Sequence, residues 1–197
     1  MYISPWFQAS MLPDRWNVAG VSCPSLSVWH VFALTSLGNP YFCDSSRLDR
    51  NAAASLLLYA TRTHAEGKML NLRPNYRIKA LRAMHKALER REWLDVHAAV
   101  SDYVANCTRA PGHKKPVSDG KGKGESRSAA APFGWVLVDF LASGNPDRIE
   151  AAWNTPYAVA CCLFDAHRDI LGQDSTLETV EESERFDAYL ARQKEAS

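Results

Sequence analysis

This chain has almost no net charge, no CxxC among its cysteines and no long apolar run, and each absence excludes something. Its 23 Lys and Arg offset 22 Asp and Glu, a formal net charge of +1, so no chain-wide field draws it to nucleic acid or to an anionic membrane. No stretch approaches the roughly 18 consecutive apolar residues that suggest a membrane span. The opening residues, MYISPWFQASMLPDRW, lack the basic start and continuous apolar core of a secretory signal, and the expected compartment is the cytoplasm. Five cysteines, an odd number, stand at positions 23, 43, 107, 161 and 162. None forms a CxxC, and Cys161 and Cys162 point to different faces of one helix, so reduced, packed thiols are expected. Zinc would need four convergent ligands, and no Cys/His spacing supplies them. GxSxG, HExxH and a dinucleotide-binding glycine pattern are all missing, and Gly120-Lys121-Gly122-Lys123-Gly124-Glu125-Ser126 lacks the frame of a phosphate loop. His167 and Asp165 sit two apart on a helix and do not face each other. The expectation is a protein that is not an enzyme and uses no cofactor and no metal.

What is present is an ordinary globular composition, 46% hydrophobic and 23% charged over 197 residues, enough for one domain with a real core. Helical periodicity dominates. The densest apolar stretch, Pro132 to Gly172, reads as two helices, 133–142 and 156–171, joined by a connector broken at Asn145-Pro146. Thr155 is the expected N-cap of the second, with Leu163 and Phe164 buried on a face shared with Val159, His167 and Leu171. This helix is expected at the centre of the fold. Further helices are expected over 26–37, capped by Ser25, over 50–64, capped by Asp49 and followed by Gly67, and over 76–107 with a break near Arg91-Glu92. The inner face of the first 76–107 piece should be Ile78, Leu81, Met84, His85 and Leu88. His30 beside the 26–37 apolar stripe reads as a satisfied core histidine. Trp16 to Val21 alternates enough for a strand, pairing with the first few residues. The fold class is therefore all-α, a mainly helical bundle in a single domain over 1–197 that admits a short N-terminal β-hairpin.

Local charge is less even than the total. Residues 62 to 94 carry nine Arg or Lys against three acids. Lys79, Arg82, Lys86 and Arg90 follow 3- and 4-residue spacing and so form one basic stripe, the candidate surface for an anionic partner. No interleaved aromatics strengthen nucleic acid as that partner. Residues 109–131 mix Gly, Lys and Ser with almost no apolar anchor and read as a flexible basic loop inside the domain. From 173 to 197 the chain is acidic, with Glu178, Glu181 and Glu182 early and Arg192 and Lys194 late, as a terminal helix or tail would have them. Glu178, Glu181 and Glu182 are the acidic counterpart candidates for partner binding.

The order of features resembles a group of small bacteriophage proteins, the tail assembly chaperones. The residues that carry the likeness are Trp16-Asn17-Val18-Ala19-Gly20-Val21, the helix Leu26 to Leu37 with Gly38-Asn39-Pro40-Tyr41, and Ala152-Trp153-Asn154-Thr155-Pro156-Tyr157 leading into Cys162 to His167. It covers about half the chain in scattered pieces, and the 109–131 loop has no counterpart. The resemblance implies a non-enzymatic assembly protein acting in the host-cell cytoplasm. Its partners would be the tape measure and tail-tube proteins, with homo-oligomers formed where basic and acidic regions join copies. The alternatives are a structural virion component, such as a minor tail or head–tail connector protein, and a nucleic-acid-binding regulator.

Overall fold

The computed structural model describes residues 11–43, 47–108 and 133–171. The basic 109–131 loop and the acidic 173–197 segment, with Glu178, Glu181 and Glu182, lie outside the described residues. The chain is mainly helical with an N-terminal β-hairpin, as its periodicity indicates. Strands β1 (Arg15–Val18) and β2 (Val21–Pro24) pair antiparallel, with Trp16 opposite Cys23 and Val18 opposite Val21. The stretch expected as one strand is thus two strands and their turn. Ala19 and Gly20 both take positive φ, 47° and 79°, the backbone that a two-residue hairpin loop needs. Tyr103 holds the hairpin down: its hydroxyl donates to the Pro24 carbonyl at 2.5 Å, and its ring meets Trp16 edge-on.

Helix α1 (Val28–Ser36) is capped by Ser27, not by Ser25. Ser25 is occupied elsewhere: its hydroxyl accepts from Trp16 Nε1 at 3.0 Å and donates to the Pro13 carbonyl at 3.1 Å. His30 stands at the third position of α1 and completes a reciprocal cap, its Nδ1 accepting from the Ser27 N–H at 2.9 Å. Its Nε2 then carries the proton and donates to the Arg62 carbonyl at 2.7 Å. Burial pushes the His30 pKa down to about 4, against backbone hydrogen bonds that favour the proton. It is the satisfied core histidine that the sequence suggested.

A short α2 (Pro40–Cys43) follows Asn39, whose buried amide donates to the Ala52 carbonyl at 3.0 Å. Asp49 caps α3 (Arg50–Ala60), accepting from the Ala52 N–H at 2.7 Å. Helices α4 (His64–Leu72), α5 (Pro74–Glu89), α6 (Trp93–Thr108) and α7 (Phe133–Ala142) come next, then a 3-10 turn (Pro146–Arg148), α8 (Ile149–Asn154) and α9 (Tyr157–Ile170). The expected 50–64 helix therefore ends at Ala60, and Gly67 is not beyond a helix end but inside α4. A Cβ at Gly67 would overlap the Trp29 indole, so only glycine lets α4 lie this close to α1. Of the expected inner face, Leu81, Met84 and Leu88 pack toward the core and His85 is half-buried, but Ile78 is 46% exposed.

The innermost helix is α3, in which Ala52 to Ala54 and Leu56 to Ala60 are all buried. Helix α9 is not central, and the expected burial of Leu163 is wrong: Leu163 is 49% exposed, Phe164 is half-buried, and His167 and Leu171 face outward. Backbone bonds set this rotation. The Val28 N–H donates to the Thr155 carbonyl at 3.0 Å, and the Tyr157 N–H donates to the Leu26 carbonyl at 2.8 Å. This clamp turns Ala160 and Cys161 inward, and small residues there allow close approach to α1. Thr155 does not cap α9 either; its hydroxyl donates back to the Ala151 carbonyl at 3.1 Å. Cys23, Cys107 and Cys161 are buried thiols, Cys162 is half-buried and Cys43 exposed, all five free. Among the described residues, no helix is long and apolar enough to cross a membrane.

Candidate functional site

A cleft of about 530 Å³ opens where α1, α4, α7 and α8 meet, lined by Trp29, Phe32, Trp135 and Trp153 with Leu37, His64, Lys68, Ile149 and Glu150 on its sides. Trp29 and Trp153 are almost wholly buried, whereas Trp135 is 48% exposed and stands perpendicular to Trp153 at 5.0 Å. Phe32 lies 5.5 Å from Trp153, and His64 stacks on Trp153 at 5.3 Å while meeting Trp29 edge-on at 6.1 Å. A large apolar floor with exposed aromatic and aliphatic walls is the anatomy of a binding surface.

The polar side of the cleft is built around the start of α4. Thr63 and Glu66 form a capping box: the Glu66 carboxylate accepts from the Thr63 N–H at 2.8 Å, and the Thr63 hydroxyl accepts from the Glu66 N–H at 3.3 Å. Asn154 Oδ1 accepts from the His64 N–H at 3.0 Å, and Glu150 Oε1 accepts from the Ala65 N–H at 3.1 Å. Two residues of α8 thereby cap a helix some 90 positions earlier. The other Glu150 oxygen pairs with His64 Nδ1 at 2.7 Å. Partial burial raises the Glu150 pKa, but hydrogen bonds from His64, Asn154 and Ala65 outweigh it and hold the carboxyl below its ordinary range.

This His–carboxylate pair is committed to structure. Both Glu150 oxygens accept hydrogen bonds and the first three N–H groups of α4 have acceptors, so the start of α4 presents no free N–H to a ligand anion. Lys68, one turn along α4 from His64, lines the cleft with no hydrogen bond or ion pair to another described residue. The cleft therefore offers apolar contact area and one available positive charge.

Lys79, Arg82, Lys86 and Arg90 are all exposed, the first three on the outer side of α5 and Arg90 at its C-terminal end. None has an ion pair to another described residue. Ala83 and Ala87 lie between the cations and, with Lys86, Arg90 and Arg91, line a shallow trough. Glu178, Glu181 and Glu182 lie outside the described residues.

Comparison of the chain with protein-family models, curated proteins and solved structures finds no match. The tryptophan cleft was not readable from sequence, because Trp29, Trp135 and Trp153 sit on three helices with no common spacing. One signal was available. Thr63-His64-Ala65-Glu66 is a capping-box pattern, which would have started α4 at His64 and shown that helix as a separate wall.

Proposed function

We propose that this protein is a non-enzymatic assembly protein that holds an apolar segment of a partner in its tryptophan cleft. That is the role implied by its resemblance to bacteriophage tail assembly chaperones, with the tape measure and tail-tube proteins as partners in the host-cell cytoplasm. The observation that carries the reading is the cleft itself: buried Trp29 and Trp153 floor it, and Leu37, Trp135 and Ile149 around it are 46, 48 and 37% exposed. A bulky side chain from an amphipathic helix would bury those walls, at about 25 cal/mol per Å² of apolar surface removed from water. Lys68 favours an acidic residue beside that side chain, because it has no ion pair among the described residues while Glu150 is paired with His64. Such charge contact adds encounter rate and register, and salt weakens it.

The test is co-purification from cells making the tail proteins, with the captured partner identified by mass spectrometry. Trp135→Ala should lose the captured partner while the chain stays folded, at a stability cost of about 2 kcal/mol for the buried half of the ring. Capture unchanged by Trp135→Ala would overturn the cleft as the holding site, and retention of the protein in purified particles would replace the chaperone role with that of a virion component. A second reading, a nucleic-acid-binding regulator, is favoured by the exposed cations Lys79, Arg82, Lys86 and Arg90 along α5. A gel shift that weakens steeply with salt and disappears on reversing Lys79, Arg82 and Lys86 would select it.

A further inference from the structure

On the other side of α4 from the cleft lies a smaller pocket of about 240 Å³, lined by Arg62, Glu66, Met69, Leu70, Arg73 and Tyr76. The position of Arg62 is fixed at its backbone. Its N–H donates to the Tyr59 carbonyl at 2.9 Å, and its carbonyl accepts from the buried His30 at 2.7 Å. Its Nε is buried and has no hydrogen-bond partner. An arginine cannot shed its proton to relieve this, and an orphaned N–H on a charged group is costly. Burial closes Nε itself to a ligand, but the terminal nitrogens of the same guanidinium are not buried and have no partner among the described residues.

Arg73 supplies a second guanidinium to the same pocket. It joins α4 to α5 with its side chain unused as a cap, and it has no ion pair to another described residue. Tyr76 adds a phenol and is 50% exposed, so the pocket is open to solvent. The remaining walls decide which anion fits. Met69 and Leu70 are apolar, and the Glu66 carboxylate is already held by Thr63. Glu66 repels a dianion more strongly than a single carboxylate, which can take the terminal nitrogens of Arg62 and lean its methylenes on the exposed Met69.

We infer that the Arg62–Arg73 pocket is a carboxylate-binding site that takes the side chain of a glutamate or aspartate from a peptide. The test follows the arginine Nε–Hε signals of the full chain by NMR while N-acetyl-glutamyl amide is added at constant ionic strength. Parallel titrations use N-acetyl-glutaminyl amide, inorganic phosphate and sodium chloride. The expected result is a saturable shift of the Arg62 and Arg73 signals with the glutamyl compound alone. Arg73→Gln, at an exposed position, should weaken it about tenfold, the loss expected for one charge-assisted bond, whereas Arg82→Gln leaves it unchanged. Shifts that never saturate, or that chloride reproduces, would overturn the site. Tighter binding of phosphate would overturn the carboxylate assignment, and an unchanged affinity in Arg73→Gln would overturn the two-arginine pocket.

Discussion

Helices α3 and α5 pack against each other and yet are opposite kinds of helix. From Ala52 onward α3 is buried on nearly every side, and small residues at Ala52, Ala53 and Ala54 let its neighbours come close. In α5 only Leu88 is fully buried, Arg77, Ala80, Leu81, Met84 and His85 are partly so, and the exposed side carries Lys79, Arg82 and Lys86. Arg50 ties the two together: its guanidinium donates to the Leu88 and Arg91 carbonyls at 2.7 and 2.8 Å, a cation where the end of α5 is negative. One helix stabilises the protein by area and close packing; the other spends most of its surface on charge. The lesson is that burial and charge are placed on different helices here, so packing and surface charge can be altered separately.

The sharpest break is in the inner helix. Leu57→Ala should cost about 2–5 kcal/mol in denaturant unfolding, because Leu57 is wholly buried and its truncation leaves a cavity in the core. A cost below about 1 kcal/mol would show that α3 is not the centre of the core.

Acid should reach the inner side next, through His30, which fastens α1 to the carbonyl just beyond the end of α3. Its folded pKa of about 4 lies below the ordinary histidine value. As pH falls below about 6.5 the unfolded chain takes up a proton that the folded one refuses, so stability drops until pH reaches about 4. The loss across that window should be about 3 kcal/mol, and His30→Gln should flatten it. An equally steep slope in the variant would move the effect to other groups.

Gly67→Ala probes close approach on α4. A methyl at that position overlaps the Trp29 ring, and overpacking of this kind costs about 1–3 kcal/mol. Since Trp29 also floors the cleft, the same variant should weaken partner capture. Full stability together with full capture would show that α4 moves away freely.

The smallest effect is expected on the outer helix. Changing Lys79, Arg82 and Lys86 to Gln should alter stability by no more than about 0.5 kcal/mol per site, since all three are exposed. A larger loss would mean that the stripe contacts its own chain.

Much of this was legible because helices are local objects. Apolar spacing, Asp49 as a cap, and the break at Arg91-Glu92 place α3, α5, α6 and α7 within a few residues of their bounds, and the exposed stripe on α5 follows from spacing alone. The expected 50–64 helix stops at Ala60, and the Thr63–Glu66 capping box starts a separate helix at His64.

What the sequence by itself determined was therefore most of the helices, though not α2 or α4, and the charged face of α5, all of which depend on residues three or four apart. Only the tertiary structure decided the rotation of α9, the burial of α3 on all sides and the gathering of three tryptophans around one cleft. Each depends on contacts between residues far apart in the chain: the Thr155–Val28 backbone bond, the Glu150 and Asn154 caps on α4, and the seat of Gly67 on Trp29. A helix with apolar residues on several faces can bury any of them, so hydrophobicity leaves its rotation open until a backbone clamp from elsewhere in the fold selects one.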